Sequence, residues 1–256
     1  MKKIPEVTLL FWIMKICATT LGETAGDLLA QTLKIGYGVS SAILIGLFLA
    51  VLLGQLSAKR YIPALYWAVI LATSTAGTTM SDYMDRTLGL GYATGAAILV
   101  AILLAVLGLW WASEKSLSVS DINTRRGELF YWTAILFSNT LGTALGDFLA
   151  DSSGLGFGGG ALLIGSLLAV VVLAYYFTSL SRVLLFWVAF VLTRPFGATF
   201  GDLLTKPVAK NGLGFGTQGS SLILLVMLVG LIVYTSLRPE QPALAVSAAS
   251  GNRSRN

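Results

Sequence analysis

Hydrophobic residues along this chain fall into eight long blocks, at about 7–30, 38–57, 63–84, 92–112, 129–150, 159–180, 183–204 and 217–237. A helix that crosses a bilayer takes ~20 mostly apolar residues, so each block is long enough to span. The connections are mostly short. Gln31 to Gly38 reads as an outer turn, and Ala58-Lys59-Arg60 as an inner one, followed by Pro63 just inside a helix start, where proline is tolerated. The pattern predicts an all-α integral membrane protein with eight transmembrane helices, arranged as four helical hairpins.

Deep in the first block of each hairpin, one motif returns. Leu21-Gly22-Glu23-Thr24-Ala25-Gly26-Asp27 is answered by Ala76-Gly77-Thr78-Thr79-Met80-Ser81-Asp82, then by Leu141-Gly142-Thr143-Ala144-Leu145-Gly146-Asp147, then by Phe196-Gly197-Ala198-Thr199-Phe200-Gly201-Asp202. Fifteen residues before each aspartate stands a tryptophan, Trp12, Trp67, Trp132 and Trp187, preceded by Phe11, Tyr66, Tyr131 and Phe186. After each motif an aromatic residue sits beside glycine, at Tyr37, Tyr92, Phe157 and Phe215. The aspartates are 55, 65 and 55 residues apart, so the first two copies map onto the last two by a shift of 120. Self-similarity of this kind dictates architecture before any local assignment. An even number of spans separates successive copies, which makes them parallel repeats about an axis near the membrane normal. A pseudo-fourfold ring, or a pseudo-twofold of hairpin pairs, follows, with the motif helices inside. The expected units are 1–115, a cytoplasmic linker 116–127, 128–238 and a disordered tail 239–256.

Within the motif, helical geometry separates two faces. Gly22/Gly26, Gly77/Ser81, Gly142/Gly146 and Gly197/Gly201 have the small-xxx-small spacing of close helix packing. Positions seven, four and three before aspartate lie on its own side of the helix. There the chain carries Thr20, Glu23 and Thr24; Thr75, Thr78 and Thr79; Thr140 and Thr143; and, in the fourth copy, Pro195, Ala198 and Thr199. Arg194 precedes Pro195 where the third copy has Asn139, and Pro195 is expected to open its helix and free backbone carbonyls. Indole rings collect at membrane interfaces, so the four tryptophans read as anchors there. Lys15 reads as a snorkelling lysine, and Asp85, Arg86 and Asp151 as solvated ends.

Composition agrees with the membrane. The chain of 256 residues is 55% hydrophobic and 11% charged, with a mean hydropathy of +0.80, too apolar to cover a soluble globule. The net charge of +5 lies scattered in connections, with no basic helix to meet a nucleic acid. With an internal N-terminus, eleven Lys and Arg fall inside, including Lys59, Arg60, Lys115, Arg125, Arg126 and Arg182, against Lys34, Arg86, Lys206 and Lys210 outside. That bias puts both termini in the cytoplasm of the cell inner (plasma) membrane. Lys2-Lys3 before an apolar run resembles a signal-peptide start, but the run belongs to the first repeat and is expected to be retained. One cysteine excludes an internal disulfide, and the absence of histidine removes imidazole as metal ligand and proton shuttle.

Ionisable groups at membrane depth cost on the order of 3 kcal/mol and usually face the bundle interior or water. Carboxylates, hydroxyls and carbonyls are hard ligands that suit Mg²⁺, Mn²⁺ or Ca²⁺. Glu23, Asp27, Asp82, Asp147 and Asp202 are therefore the candidate metal ligands, and Glu23, four residues before Asp27, makes the first copy the most acidic. The bland alternative is that each aspartate only braces its outer turn.

Four tandem two-span hairpins, each with its tryptophan and Gly-x-x-x-[Gly/Ser]-Asp, resemble a family of bacterial multi-pass membrane proteins defined by a repeat of unknown function and described as membrane-anchored. The resemblance covers about residues 8–237 and implies the eight-span layout and weight on the tryptophans and aspartates. The expected function is secondary transport of a divalent cation, Mn²⁺ or Mg²⁺, by import or export. No nucleotide-binding Gly-x-x-x-x-Gly-Lys-[Ser/Thr] appears to drive it. The alternatives are a proton-coupled carrier of a small organic solute, with Arg194 holding an anionic group, and a structural protein. An intramembrane aspartyl hydrolase is disfavoured because the Gly-x-Gly-Asp of such enzymes is missing, so no enzyme and no cofactor are expected. The partners to expect are lipid, a metal ion or small solute, and a further copy of the chain.

Overall fold

The computed structural model describes residues 4–119, 122 and 124–237; the tail 239–256 and part of the linker lie outside the described residues. Among the described residues there are eight long helices and no strand: α1 (Leu9–Asp27), α2 (Tyr37–Ser57), α3 (Pro63–Asp82), α4 (Tyr92–Glu114), α5 (Arg125–Asp147), α6 (Gly156–Phe177), α7 (Arg182–Thr205) and α8 (Gly216–Leu237). Their starts have local causes. The Thr8 and Thr124 hydroxyls accept the backbone N–H of Phe11 and Gly127, capping α1 and α5. Pro63 opens α3. Gly36 and Gly91 hold φ of +82° and +72° just before α2 and α4, a conformation that a side chain would strain.

Five helices, α2, α4, α6, α7 and α8, are long and apolar enough to cross a membrane. The chain is thus an all-helical protein with the apolar helices of a multi-pass membrane protein. α1, α3 and α5 have similar lengths but carry Lys15, Glu23, Asn139 and a series of hydroxyl residues turned inward. Their polarity belongs to the interior, while Leu47, Leu53, Leu104, Leu162, Val170, Leu222 and Val226 of the even-numbered helices point outward.

The odd-numbered helices form a closed ring, α1 against α3, α3 against α5, α5 against α7 and α7 against α1. The even-numbered ones surround it in a shifted order: α2 packs on α3, α4 on α5, α6 on α7 and α8 on α1. This corrects the hairpin expectation, because the main partner of each even helix is the next repeat's inner helix and not its own. Connection length accounts for two of the four shifted pairs, α2 on α3 and α6 on α7. Ala58–Ile62 and Thr178–Ser181 are tight turns that force antiparallel neighbours, whereas nine residues, 28–36, separate α1 from α2. The two halves of the chain are consequently interlocked. Between the halves, α4 ends at Glu114 and α5 begins at Arg125, and Leu117 and Val119 pack on the core while the Leu117 carbonyl accepts Trp187 Nε1 at 3.0 Å.

Candidate functional site

Four-residue steps along a helix drift by only ~40° and so form one ridge. Counting back from aspartate, the inner helices stack five layers: Asp27, Asp82, Asp147 and Asp202; Glu23, Thr78, Thr143 and Ala198; Thr19, Ser74, Asn139 and Arg194; Lys15, Ile70, Ile135 and Phe190; and Phe11, Tyr66, Tyr131 and Phe186. All but Phe186 are buried. The small residues let these layers close. A Cβ on Gly22, Gly77, Gly142 or Gly197 would collide with Ser74, Asn139, Arg194 or Thr19, respectively. Each first-position glycine thus meets the third layer of the next copy, and the fourth returns to the first. Gly26, Gly146 and Gly201 likewise seat Thr78, Ala198 and Glu23 of the following copy.

The aspartate layer is organised as two bridged pairs. Lys206 Nζ lies 2.6 Å from Asp27 Oδ2 and 3.0 Å from Asp202 Oδ1. Arg86 places Nε 2.8 Å from Asp82 Oδ1 and Nη2 3.1 Å from Asp147 Oδ2. Both cations come from the position four residues after an aspartate, and the shift of 120 carries Asp82 and Arg86 onto Asp202 and Lys206. Gln31 and Asp151 occupy the other two such positions. The Gln31 amide donates to Asp27 Oδ1, and Asp151 accepts from the Tyr92 hydroxyl at 3.0 Å. After Asp27, Asp82 and Asp147 the helix loosens into one π-helical turn, a feature frequent at functional sites, while α7 continues through Asp202 to Thr205.

One layer deeper, Glu23 brings a carboxylate oxygen to within 4.8 Å of oxygens on Asp27 and Asp202. It also accepts from Thr78 Oγ1 at 3.3 Å and from the fully buried Arg194, whose Nη2 donates to Glu23 Oε2 at 2.9 Å, Thr78 Oγ1 at 2.5 Å and Thr143 Oγ1 at 2.6 Å. One guanidinium nitrogen thereby ties α7 to α1, α3 and α5. Arg194 Nε and Nη1 have no hydrogen-bond partner among the described residues. Below it, Lys15 Nζ donates to Asn139 Oδ1 at 3.3 Å and sits 4.0 Å from the Phe190 ring centre, and Asn139 donates to Thr73 Oγ1 at 2.9 Å.

Several expected residues do not join this column. The hydroxyls of Thr75, Thr79, Thr140 and Thr199 bond back to carbonyls of their own helices, at Leu71, Ala76, Leu136 and Pro195. Thr24 meets Ser221 of α8 at 2.8 Å, and Thr20 is buried with its hydroxyl unpaired among the described residues. Positions seven and three before aspartate therefore face the flanking helices, and positions four and eight before it face the axis. Pro195 does not open α7, which is continuous from Arg182 to Thr205.

The tryptophans are corrected as well. Trp67 and Trp132 are 1% exposed and Trp187 6%, so lipid headgroups cannot reach them as they would an interface anchor; Trp12 is half-buried. They build a closed aromatic collar instead. Phe11 meets Trp67 at 5.6 Å between ring centres, Tyr66 meets Trp132 at 5.4 Å, Tyr131 meets Trp187 at 6.4 Å and Phe186 meets Trp12 at 5.8 Å. A 2.6 Å hydrogen bond between the Tyr66 and Tyr131 hydroxyls crosses it. Lys15 is fully buried and does not snorkel, Asp85 is buried against Gly95 and accepts from Ser81, and Arg86 holds two aspartates. The missed cations had one legible signal, their common offset from aspartate.

A repeat that interlocks around a ring should be recognisable as a repeat, and it is. Four tandem copies of the Repeat of Unknown Function (DUF347) match residues 10–61, 65–116, 130–181 and 185–239. The chain belongs to this family. In its terms, each DUF347 copy contributes one ring helix, ending in the aspartate, and one outer helix that covers the next copy. No curated protein and no solved structure matches the chain.

Proposed function

We propose that this DUF347 chain is a secondary carrier of a divalent metal cation, with Mn²⁺ or Mg²⁺ best suited to its oxygen ligands. The reading has all eight helices spanning the inner membrane, both termini cytoplasmic and the aspartate layer toward the outside. One observation carries it: three buried carboxylates, Glu23 and Asp27 on α1 and Asp202 on α7, converge within 4.8 Å. Lys206 and Arg194 set two single positive charges against these three carboxylates; buried charge left unbalanced is unfavourable, and a hard dication would supply a stronger counter-charge. Asp82 and Asp147 form the pseudo-symmetric half of the path. Among the described residues, the Asp27–Lys206 end reaches the surface while the aromatic collar shuts the other end.

The test is Mn²⁺ and Mg²⁺ flux into proteoliposomes holding the full chain. Asp27→Asn and Asp202→Asn are expected to abolish flux while the protein still elutes as a single folded species; wild-type flux in both sinks the reading.

A second reading, proton-coupled transport of a small anionic solute, is favoured by the two Arg194 nitrogens, Nε and Nη1, that have no hydrogen-bond partner among the described residues. Glu23 already takes Arg194 Nη2, which places this reading second. Competition of small carboxylates with metal for uptake separates the two.

A further inference from the structure

The two carboxylate pairs are related by the repeat symmetry, yet they are not held alike. The Asp82–Asp147 pair is spanned by a guanidinium that uses a separate nitrogen for each carboxylate, comes within 3.9 Å of Asp151 and lies 5.5 Å from the Tyr92 ring centre. A planar fork with several donors is the stronger and more rigid clamp. The Asp27–Asp202 pair is spanned by one ammonium, a point charge on a flexible stem. Asp202 Oδ1, 3.0 Å from that ammonium, and its counterpart Asp82 Oδ1, 2.8 Å from Arg86 Nε, are both buried without a donor in hydrogen-bonding alignment, so the difference between the pairs lies in the cation.

The third carboxylate is also placed unequally. Glu23 stands in the layer below Asp27, and the residue that the shift of 120 puts in its place is Thr143. If Lys206 leaves, three buried carboxylates face one another within 4.8 Å; on the other side the third carboxylate that the bridging cation approaches is the more exposed Asp151. The Lys206 backbone is fixed, its N–H donating to the Asp202 carbonyl at 2.9 Å and its carbonyl accepting from Gly214 at 2.9 Å. Its side chain is 20% exposed, so it can leave by rotating about its own bonds without moving α7.

We infer that Lys206 is a tethered cation that occupies the metal seat of Asp27, Asp202 and Glu23 and is exchanged for the incoming ion, whereas Arg86 locks the related pair permanently. The chain then has one exchangeable seat and not two. The bound ammonium keeps the empty carrier from holding unpaired buried carboxylates, and it competes with every ion that enters. This inference rests on the metal-carrier reading above.

The test is calorimetric titration of the full-length protein in detergent with Mn²⁺, comparing wild type, Lys206→Gln and Lys206→Arg. Lys206→Gln removes the competitor and is expected to tighten Mn²⁺ binding at least tenfold at one ion per chain. Lys206→Arg keeps the charge, replaces a point contact with a fork and is expected to weaken binding at least tenfold; it also serves if Lys206→Gln does not elute as a single species. Affinities unchanged from wild type, weaker binding in Lys206→Gln, or two ions per wild-type chain overturn the exchange while leaving the metal reading standing. No Mn²⁺ binding by any folded form overturns both.

Discussion

Arg194 shows what a single side chain contributes here. It is fully buried, and one of its nitrogens reaches Glu23, Thr78 and Thr143 on three different helices. Removing one member of a buried ion pair strands the other, at a cost of about 3–5 kcal/mol, whereas replacing both by apolar or neutral groups is often close to neutral. Arg194→Met is therefore expected to lower the thermal unfolding temperature sharply, and the double variant with Glu23→Gln to regain most of the loss. Equal destabilisation by the single and double variants would show that the ion pair is not what Arg194 supplies. Arg194 and Glu23 were legible from sequence, because a charge inside an apolar block demands a partner. Lys15, Arg86 and Lys206 were not. Lysine and arginine near the end of a span have two physical outlets, water and a buried partner, which is a carboxylate for Arg86 and Lys206 and an amide oxygen with an aromatic face for Lys15, and sequence alone favoured water.

Single helices of this protein are defined by what they allow a neighbour to do. Ring closure depends on backbones approaching where the next copy inserts a side chain, and Gly142 is the tightest case, since an added Cβ would strike the Cβ and Cγ of Arg194 and lie 2.9 Å from Pro195 Cδ. Overpacking a closed interior costs about 1–3 kcal/mol, so Gly142→Ala should destabilise by at least that much. Gly46 has nothing within 4 Å of an added Cβ, and Gly46→Ala is expected to be neutral or to stabilise by up to about 1 kcal/mol through helix propensity. Chemical denaturation of both variants in detergent checks the contrast, and a neutral Gly142→Ala would refute the seam. The helix positions and the glycine seam were readable, because periodicity and capping are local. Which threonines face the axis was not. The faces at three and four residues before aspartate differ by only ~100°, and choosing between them needs the neighbouring helices, which a single helix's pattern does not contain.

For the molecule as a whole, the shifted packing of α4 on α5 and α8 on α1 means that neither half buries its own surfaces. Cut within the linker, 1–119 and 120–256 should copurify as a stable pair when expressed together, and neither should be monodisperse alone; a monodisperse 1–119 fragment would contradict the interlock. Fourfold symmetry was visible in the aspartate spacings of 55, 65 and 55, and the ring of motif helices is its direct expression. The partner exchange between repeats was not visible, because hydropathy records that a helix has a neighbour and not which one. Closure also bears on how such a chain can evolve. An open solenoid adds or loses a unit at its ends, since each unit touches only the next. Here the fourth unit must meet the first, through Gly197 on Thr19, Phe186 on Trp12 and Lys206 on Asp27. Copy number is therefore set by the turn each unit makes around the axis, and a single added repeat would break the contact between last and first that closes the ring.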